Sequence, residues 1–382
     1  MNRKAVIVLS VFIFLIIVKF TYSYFSTYEY SLQVRADLAA EKKQDIHVAV
    51  VWDKSETSFM QGVTMAVTEI NQQGVALKWN NEIIKAHIIL HEYDDSTEDA
   101  AKKSRLSIAN DHRIVAVLGH STSASAIPAS ITYEYNGILF ISAVATMPTL
   151  TNHNFKYTFS IIPSEFFFAN RLAKFVKKKG WNNLLILHAR NPYGLSFYEA
   201  FAAQVEPPLH IISVKSFFTG EKDYKELIYT VMQNDFDAVI LADAEQNAAE
   251  MIKQLRYMGV HKPILGGDGL DNLKIWEWSG QTANQLYVAS VLAGQGGYNN
   301  KDAQNFSSNY VIYQGYEAAH ILADAIEKTG SSEPILVASV LKYNYKNGYA
   351  GYIFDVNGLV INKNIYVKEF KNGKFLSVDN EE

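Results

Sequence analysis

Short apolar runs alternate with segments whose hydrophobic positions recur at helical spacing through most of this chain. HVAVVW (47–52) precedes FMQGVTMAVTEINQQG (59–74), where Gly74 is a natural helix stop. AHIILHEYDD (86–95) precedes STEDAAKKSRLSIANDH (96–112), with Ser96 and Asp99 spaced as a loose capping box. IVAVLG (114–119) leads through GHSTSASAIPAS into a helical pattern that ends near Asn136-Gly137, and ILFISAV (138–144) and YTFSII (157–162) read as further strands.

The alternation then restarts. Helical patterns at about 164–179, after RNPYG, and at 223–234 and 244–259 separate the strand-like runs NLLILHA (183–189), HIISVKSF (210–217), AVILAD (238–243), PILGGDG (263–269) and LYVASVLA (286–293). A long helix is expected over about 307–329. The tail from Gly348 reads as antiparallel strands, with Asn-Gly turns at 357–358 and 372–373.

Strand–helix alternation with short connections predicts right-handed βαβ units on mainly parallel sheets. The fold class is therefore α/β, with two doubly wound, Rossmann-like lobes. The expected division is 46–163 plus 290–351 for lobe one and 164–289 plus 352–382 for lobe two. Interlobe hinge strands are expected near 162–165, 288–292 and 350–354.

The N-terminus breaks this pattern. MNRK is basic, residues 5–18 (AVIVLSVFIFLIIV) are apolar apart from Ser10, and Lys19 ends the run before an aromatic-rich stretch. The run is shorter than the ~20 residues of a standard span. Residues 1–25 are thus a signal peptide or a signal anchor, both of which place the rest of the chain outside the cytoplasm. The expected location is periplasmic or extracytoplasmic, with a tether to the inner membrane if the segment is retained. Residues 26–45 read as a polar stalk.

The length of 382 residues allows two domains, and a 48% hydrophobic, 19% charged composition allows a sizeable core. A net charge of -4 gives no electrostatic reason to expect nucleic acid as a partner. The absence of cysteine excludes disulfides, thiol catalysis and thiolate metal sites.

Candidate chemistry gathers where strands end, which is where open α/β sheets bind ligands. Small hydroxyls crowd the start of a helix at Ser121, Thr122, Ser123 and Ser125. Free N–H groups and a positive dipole end there make a cradle for a carboxylate, although capping by one hydroxyl explains part of the cluster. Thr146 follows the next strand, where exposed carbonyls could accept from an ammonium. Asp268, flanked by glycine in GGDGLDN, could pair with a bound cation or serve as a loop or cap residue.

In this order and spacing, VAVVW, HEYDDSTEDAAKKS, GHSTSASAIPAS, YEYNGILFISAVATMPTLT, HARNPYGLSF, GEKDY and the GGDG loop resemble the type I periplasmic binding proteins. The similarity is to the branched-chain amino-acid (leucine/isoleucine/valine) binding group and covers roughly 45–375. It implies that Ser123 binds a ligand α-carboxylate and that Thr146 contacts carboxylate and ammonium. It further implies that the Val144 carbonyl accepts from the ammonium, that Asp268 pairs with it, and that Tyr193 closes over the ligand from lobe two. The implied ligand is an amino acid or close analogue, and the implied partner an ABC permease. A membrane sensor protein that reads the closed form is the alternative.

The sequence departs from that group in three places. Ser160 stands where an arginine is common, DAEQN (243–247) lacks pocket aromatics, and Trp52 sits close to its strand end, placed either to stack on a ligand or to pack the lobe. These departures leave the ligand side chain open.

No enzyme, metal or cofactor is expected. GHSTS fails the G-x-S-x-G elbow because Ser123 occupies the final glycine position. His87 and His91 lie in a strand pattern without an evident third ligand, and no phosphate-binding glycine loop occurs.

Overall fold

The computed structural model describes residues 13–19, 29–39, 45–295, 306 and 309–378. Most of the N-terminal apolar segment expected as a signal or anchor lies outside the described residues. No described helix is long and apolar enough to cross a membrane.

Two large, mainly parallel sheets organise the described residues. The first runs β4-β1-β5-β6-β7, with β1 Ile46–Trp52, β4 Ile88–Asp94, β5 Ile114–Gly119, β6 Leu139–Ser142 and β7 Thr158–Ser160. The second runs β14-β13-β12-β11-β10-β8-β9. Its parallel strands are β8 Asn183–Ala189, β9 His210–Phe217, β10 Ala238–Ala242, β11 Ile264–Gly266 and β12 Leu286–Ser290. An antiparallel hairpin of β13 Tyr366–Lys371 and β14 Lys374–Ser377 closes its edge. Each sheet reverses strand order once among its parallel strands, between β1 and β5 in lobe one and between β8 and β10 in lobe two.

Both faces of each sheet are covered, so β5 and β10 read as continuous apolar runs and are buried throughout. In β1, alternate residues serve opposite faces: Val48 and Val50 join one cluster with Phe59 and Val63, while Ala49 and Val51 join another with Tyr133 and Phe140. Helix α1 (Ser58–Gln73), which follows β1, packs against a late helix, Tyr310–Thr329. The approach is close because a Cβ on Gly62 would sit 1.9 Å from the Ile312 carbonyl oxygen. A helix more than two hundred residues away thereby belongs to lobe one.

Several local expectations shift. Helix α2 (Glu98–Asn110) is capped by Thr97, whose Oγ1 accepts from Ala100 N at 3.1 Å, and not by Ser96, whose hydroxyl bonds Asp94. A hairpin absent from the sequence reading, β2 Val75–Trp79 with β3 Glu82–Ala86, turns at Asn80 and Asn81, both at positive φ. His91 meets His47 on the neighbouring strand at 2.8 Å, and no described cluster of His, Asp or Glu has the make-up of a metal site.

Residues 29–39 are helical and docked, where a polar stalk was expected. The cause is Arg35, almost wholly buried, which donates to the carbonyls of Ala109, Asp111, Ile114 and Asn136. Three of those carbonyls, of Ala109, Asp111 and Asn136, lie at the C-terminal ends of two helices, where the negative dipole ends favour a cation, and that of Ile114 belongs to the start of a strand. Burial lowers the Arg35 pKa to about 10, still well above neutrality.

The third crossing between lobes also moves. The chain was expected to cross near 350–354, but Ser160 N donates to Gly358 O at 2.8 Å and Val360 N to Ser160 O at 2.9 Å. Residues around 358–360 thus extend lobe one's sheet beyond β7, and the crossing follows them. Lys363 stands at that crossing. Its ammonium donates to Ile161 O at 3.1 Å on the first crossing, and to Gln314 and Glu317 on the Tyr310–Thr329 helix.

Candidate functional site

A cavity of about 470 Å³ lies between the carboxyl ends of the two sheets. That volume is within the range of small-molecule sites, ~300–1,000 Å³. Trp52, Ser123, Val144 and Thr146 border it from lobe one, and Tyr193 and Asp268 from lobe two. All six residues singled out from the sequence therefore share one cavity wall.

The hydroxyl cluster divides its work. Helix α3 (Ser123–Asn136) starts at the end of β5 and is capped by Thr122, whose side chain accepts from Ser125 N at 3.2 Å. Ser121 donates from its N–H at 2.9 Å and its hydroxyl at 2.7 Å to Asp95, and the Ser125 hydroxyl donates to Asp95 at 2.8 Å. Burial opposes ionisation of Asp95, but hydrogen bonds and charge from His120 and bonds from Ser121 outweigh it, and its pKa lies below the ordinary value. Ser121, Thr122 and Ser123 all border the cavity, and the Ser123 hydroxyl takes no part in the Asp95 cluster: its oxygen accepts from Met147 N at 3.4 Å, and its own hydrogen can be donated. Asp95 was not found from sequence, because nothing local distinguishes it from Asp94.

Across the cleft, the Tyr193 hydroxyl donates to Asp268 at 3.1 Å and accepts from Gly269 N at 3.1 Å. A Cβ on Gly269 would lie 2.8 Å from the Asp243 carbonyl oxygen and 2.9 Å from the Tyr193 ring. Glycine beside Asp268 is what lets this loop press against Tyr193. Trp52 stacks on Phe59, centroids 4.3 Å apart at 13°, so it packs the lobe while one part borders the cavity.

Glu165 was also missed. It opens the first helix of lobe two, α4 (Glu165–Lys179), is fully buried, and accepts from the Thr146 hydroxyl at 3.2 Å. Burial raises its pKa to about 8, against the opposing bonds from Ser196 and Thr146, and the neighbouring Asp268 charge adds to the rise. Burial likewise lifts Asp268 to about 7, partly offset by the Tyr193 bond. The lobes meet again where Lys274 of lobe two pairs with Glu56 of lobe one.

These two carboxyls set a pH dependence for the empty protein. Between their ordinary values, 3.8 and 4.5, and about 7 to 8, the folded state holds protons that the unfolded state releases. Their contribution to stability is therefore fully present at acid pH and is lost as pH rises through that window. Urea midpoints measured across it should fall toward pH 8 more steeply for wild type than for Asp268→Asn; parallel curves would disprove this origin.

A family model described as the receptor family ligand binding region matches residues 59–265, more than half of the chain. The chain belongs to this family. Within it, the leucine-, isoleucine-, valine-, threonine- and alanine-binding protein of Pseudomonas aeruginosa is 25% identical over 326 residues, covering 81% of this chain and 84% of that protein. The Leu/Ile/Val-binding protein of Escherichia coli is 28% identical over 262 residues, 64% of this chain and 67% of that one. Among solved structures, the leucine-binding protein LivK of Thermotoga maritima superposes with a TM-score of 0.76 at 21% identity, covering 87% of this chain and 98% of that one. LivJ of Streptococcus pneumoniae, solved with isoleucine, gives 0.75 at 21%, with coverage of 87% and 98%. At these identities the structural likeness is one of fold: the family's two-lobed type I periplasmic binding protein architecture.

Proposed function

We propose that this chain is an extracytoplasmic solute-binding protein that captures an α-amino acid or close analogue between its lobes and presents it to an ABC-type importer. One observation carries the reading: Ser123, Val144 and Thr146 from one lobe and Tyr193 and Asp268 from the other converge on a single cavity. Ser123 and Thr146 offer hydroxyls to the carboxylate at a helix N-terminus, and the Val144 carbonyl and Asp268 take the ammonium. Tyr193 holds Asp268 in place and covers the ligand.

Head-group contacts come from both lobes, so they are complete only when the cleft is shut. Binding then shifts the population toward the closed form, by hinge motion about the three crossings. The test is calorimetry on Ser123→Ala/Thr146→Ala. The double variant should weaken an α-amino acid at least tenfold and weaken its carboxamide analogue much less. Equal losses for both would refute the carboxylate role.

A further inference from the structure

Two groups claim the hydroxyl hydrogen of Thr146. The ligand contact proposed above needs it for the carboxylate, yet in the empty protein the hydroxyl donates to Glu165 Oε1 at 3.2 Å. A threonine hydroxyl carries one hydrogen and two acceptor lone pairs. With the hydrogen committed to Glu165, Thr146 meets the cavity with lone pairs alone, and lone pairs repel a carboxylate.

The contact with Glu165 is made twice over. Glu165 also donates its backbone N–H to the Thr146 carbonyl at 3.0 Å, so main chain and side chain of Thr146 are both held from the start of α4. Both side chains are almost wholly buried. Thr146 borders the cavity, whereas Glu165 lies behind it and is not part of the wall. The Glu165 carboxyl therefore acts on a ligand through Thr146.

Charge decides which way the hydrogen runs. The polar and titratable groups around this carboxyl are Thr146 from lobe one, Tyr193 and Ser196 on the helix Pro192–Ala202, and Asp268 after β11. None of them is a cation, and Asp268 has the same sign as an ionised Glu165. Burial keeps the Tyr193 phenol neutral, and no lysine or arginine lines the cavity among the described residues. An α-amino acid brings one ammonium, which Asp268 takes, and one carboxylate. An ionised Glu165 would then be a buried charge without a partner, close to two other carboxylates. A neutral Glu165 avoids both costs, and burial already favours that form by lifting its pKa to about 8.

We propose that Glu165 is a positioning residue that works as a neutral acid: it donates its own hydrogen to Thr146 Oγ1 and so turns the Thr146 hydroxyl hydrogen toward the ligand carboxylate. The heavy atoms stay in place, and only the sense of the 3.2 Å bond reverses. This inference rests on the amino-acid reading above and adds the residue that makes a cavity hydroxyl a donor. Since the complex requires the proton, binding at pH 8 takes one up wherever the empty protein has lost it. The same linkage costs affinity as pH rises above that point.

The test is calorimetry of the full-length protein with the tightest-binding standard L-amino acid, at pH 8 in two buffers of different ionisation enthalpy. The empty carboxyl is half protonated at its pKa, so wild type should take up roughly half a proton per ligand. Asp268 is mostly ionised at that pH and subtracts little. Glu165→Gln, whose amide N–H donates to Thr146 as the acid does, should show no such uptake. Its affinity relative to wild type should rise about tenfold between pH 7 and pH 9, because the amide keeps its hydrogens where the acid loses its proton. Proton release by wild type at pH 8, or no exchange, overturns the proposal. So does Glu165→Gln binding about tenfold weaker than wild type at pH 7, the mark of an ionised Glu165 at work. Circular dichroism reports whether the variant folds, and the wild-type measurement decides alone if it does not. If an amino acid binds in an Asp268-dependent way without the uptake, this inference alone fails; if no amino acid binds, the amino-acid reading fails with it.

Discussion

Asp268→Ala should lose amino-acid binding by a factor of thirty to several thousand while leaving the fold intact. Truncating one partner of a buried, hydrogen-bonded charge pair costs about 2–5 kcal/mol of affinity or more. Asp268 is almost completely buried, and burial already holds its pKa up near 7, so the empty protein carries this carboxyl at some cost. Removing it should leave the melting temperature unchanged or slightly raised. Loss of binding together with retained or increased stability is the expected pair of results, read by calorimetry and thermal unfolding. Unchanged affinity would remove the ammonium from Asp268.

The second large effect belongs to Lys363. Its ammonium and the Glu317 carboxylate are 2.5 Å apart, with side-chain exposures of 4% and 1%. Glu317 also accepts from the hydroxyls of Tyr313 at 2.6 Å and Tyr352 at 2.5 Å. Lys363→Met would leave that carboxylate buried without its cation, a change that costs about 3–5 kcal/mol in comparable pairs. It would also free the Ile161 carbonyl and Gln314. Gln314 in turn donates to Ala143 O, one residue before Val144 in the cavity wall. Urea unfolding should therefore show a large loss of stability, partly restored when Glu317→Gln is added. A loss below about 1 kcal/mol would mean that solvent already screens the pair.

The division between what could be read ahead and what could not follows the range of the interactions. Strand–helix alternation is written in local hydrophobic spacing, so the α/β class and the doubly wound lobes were legible. Ser123, Thr146 and Asp268 stood out because each sits within a few residues of a strand end, a local property too. The residues passed over share a different trait. Glu165 matters because it meets Thr146 from the other lobe, and Asp95 because β4 and β5 flank β1 and bring it under Ser121 and Ser125. Each acts through a partner distant in sequence.

By itself the amino-acid order determined the periodicity of the elements, the positions of their ends, and the polar residues those ends would present. Only the tertiary structure decided which hydroxyls serve Asp95, that residues 29–39 dock through Arg35, and where the chain makes its last crossing. The physical reason is that a buried charge or hydrogen-bond donor takes whichever partner the packed lobes bring near. That choice is made among groups well separated in sequence, as when Arg35 finds Asn136.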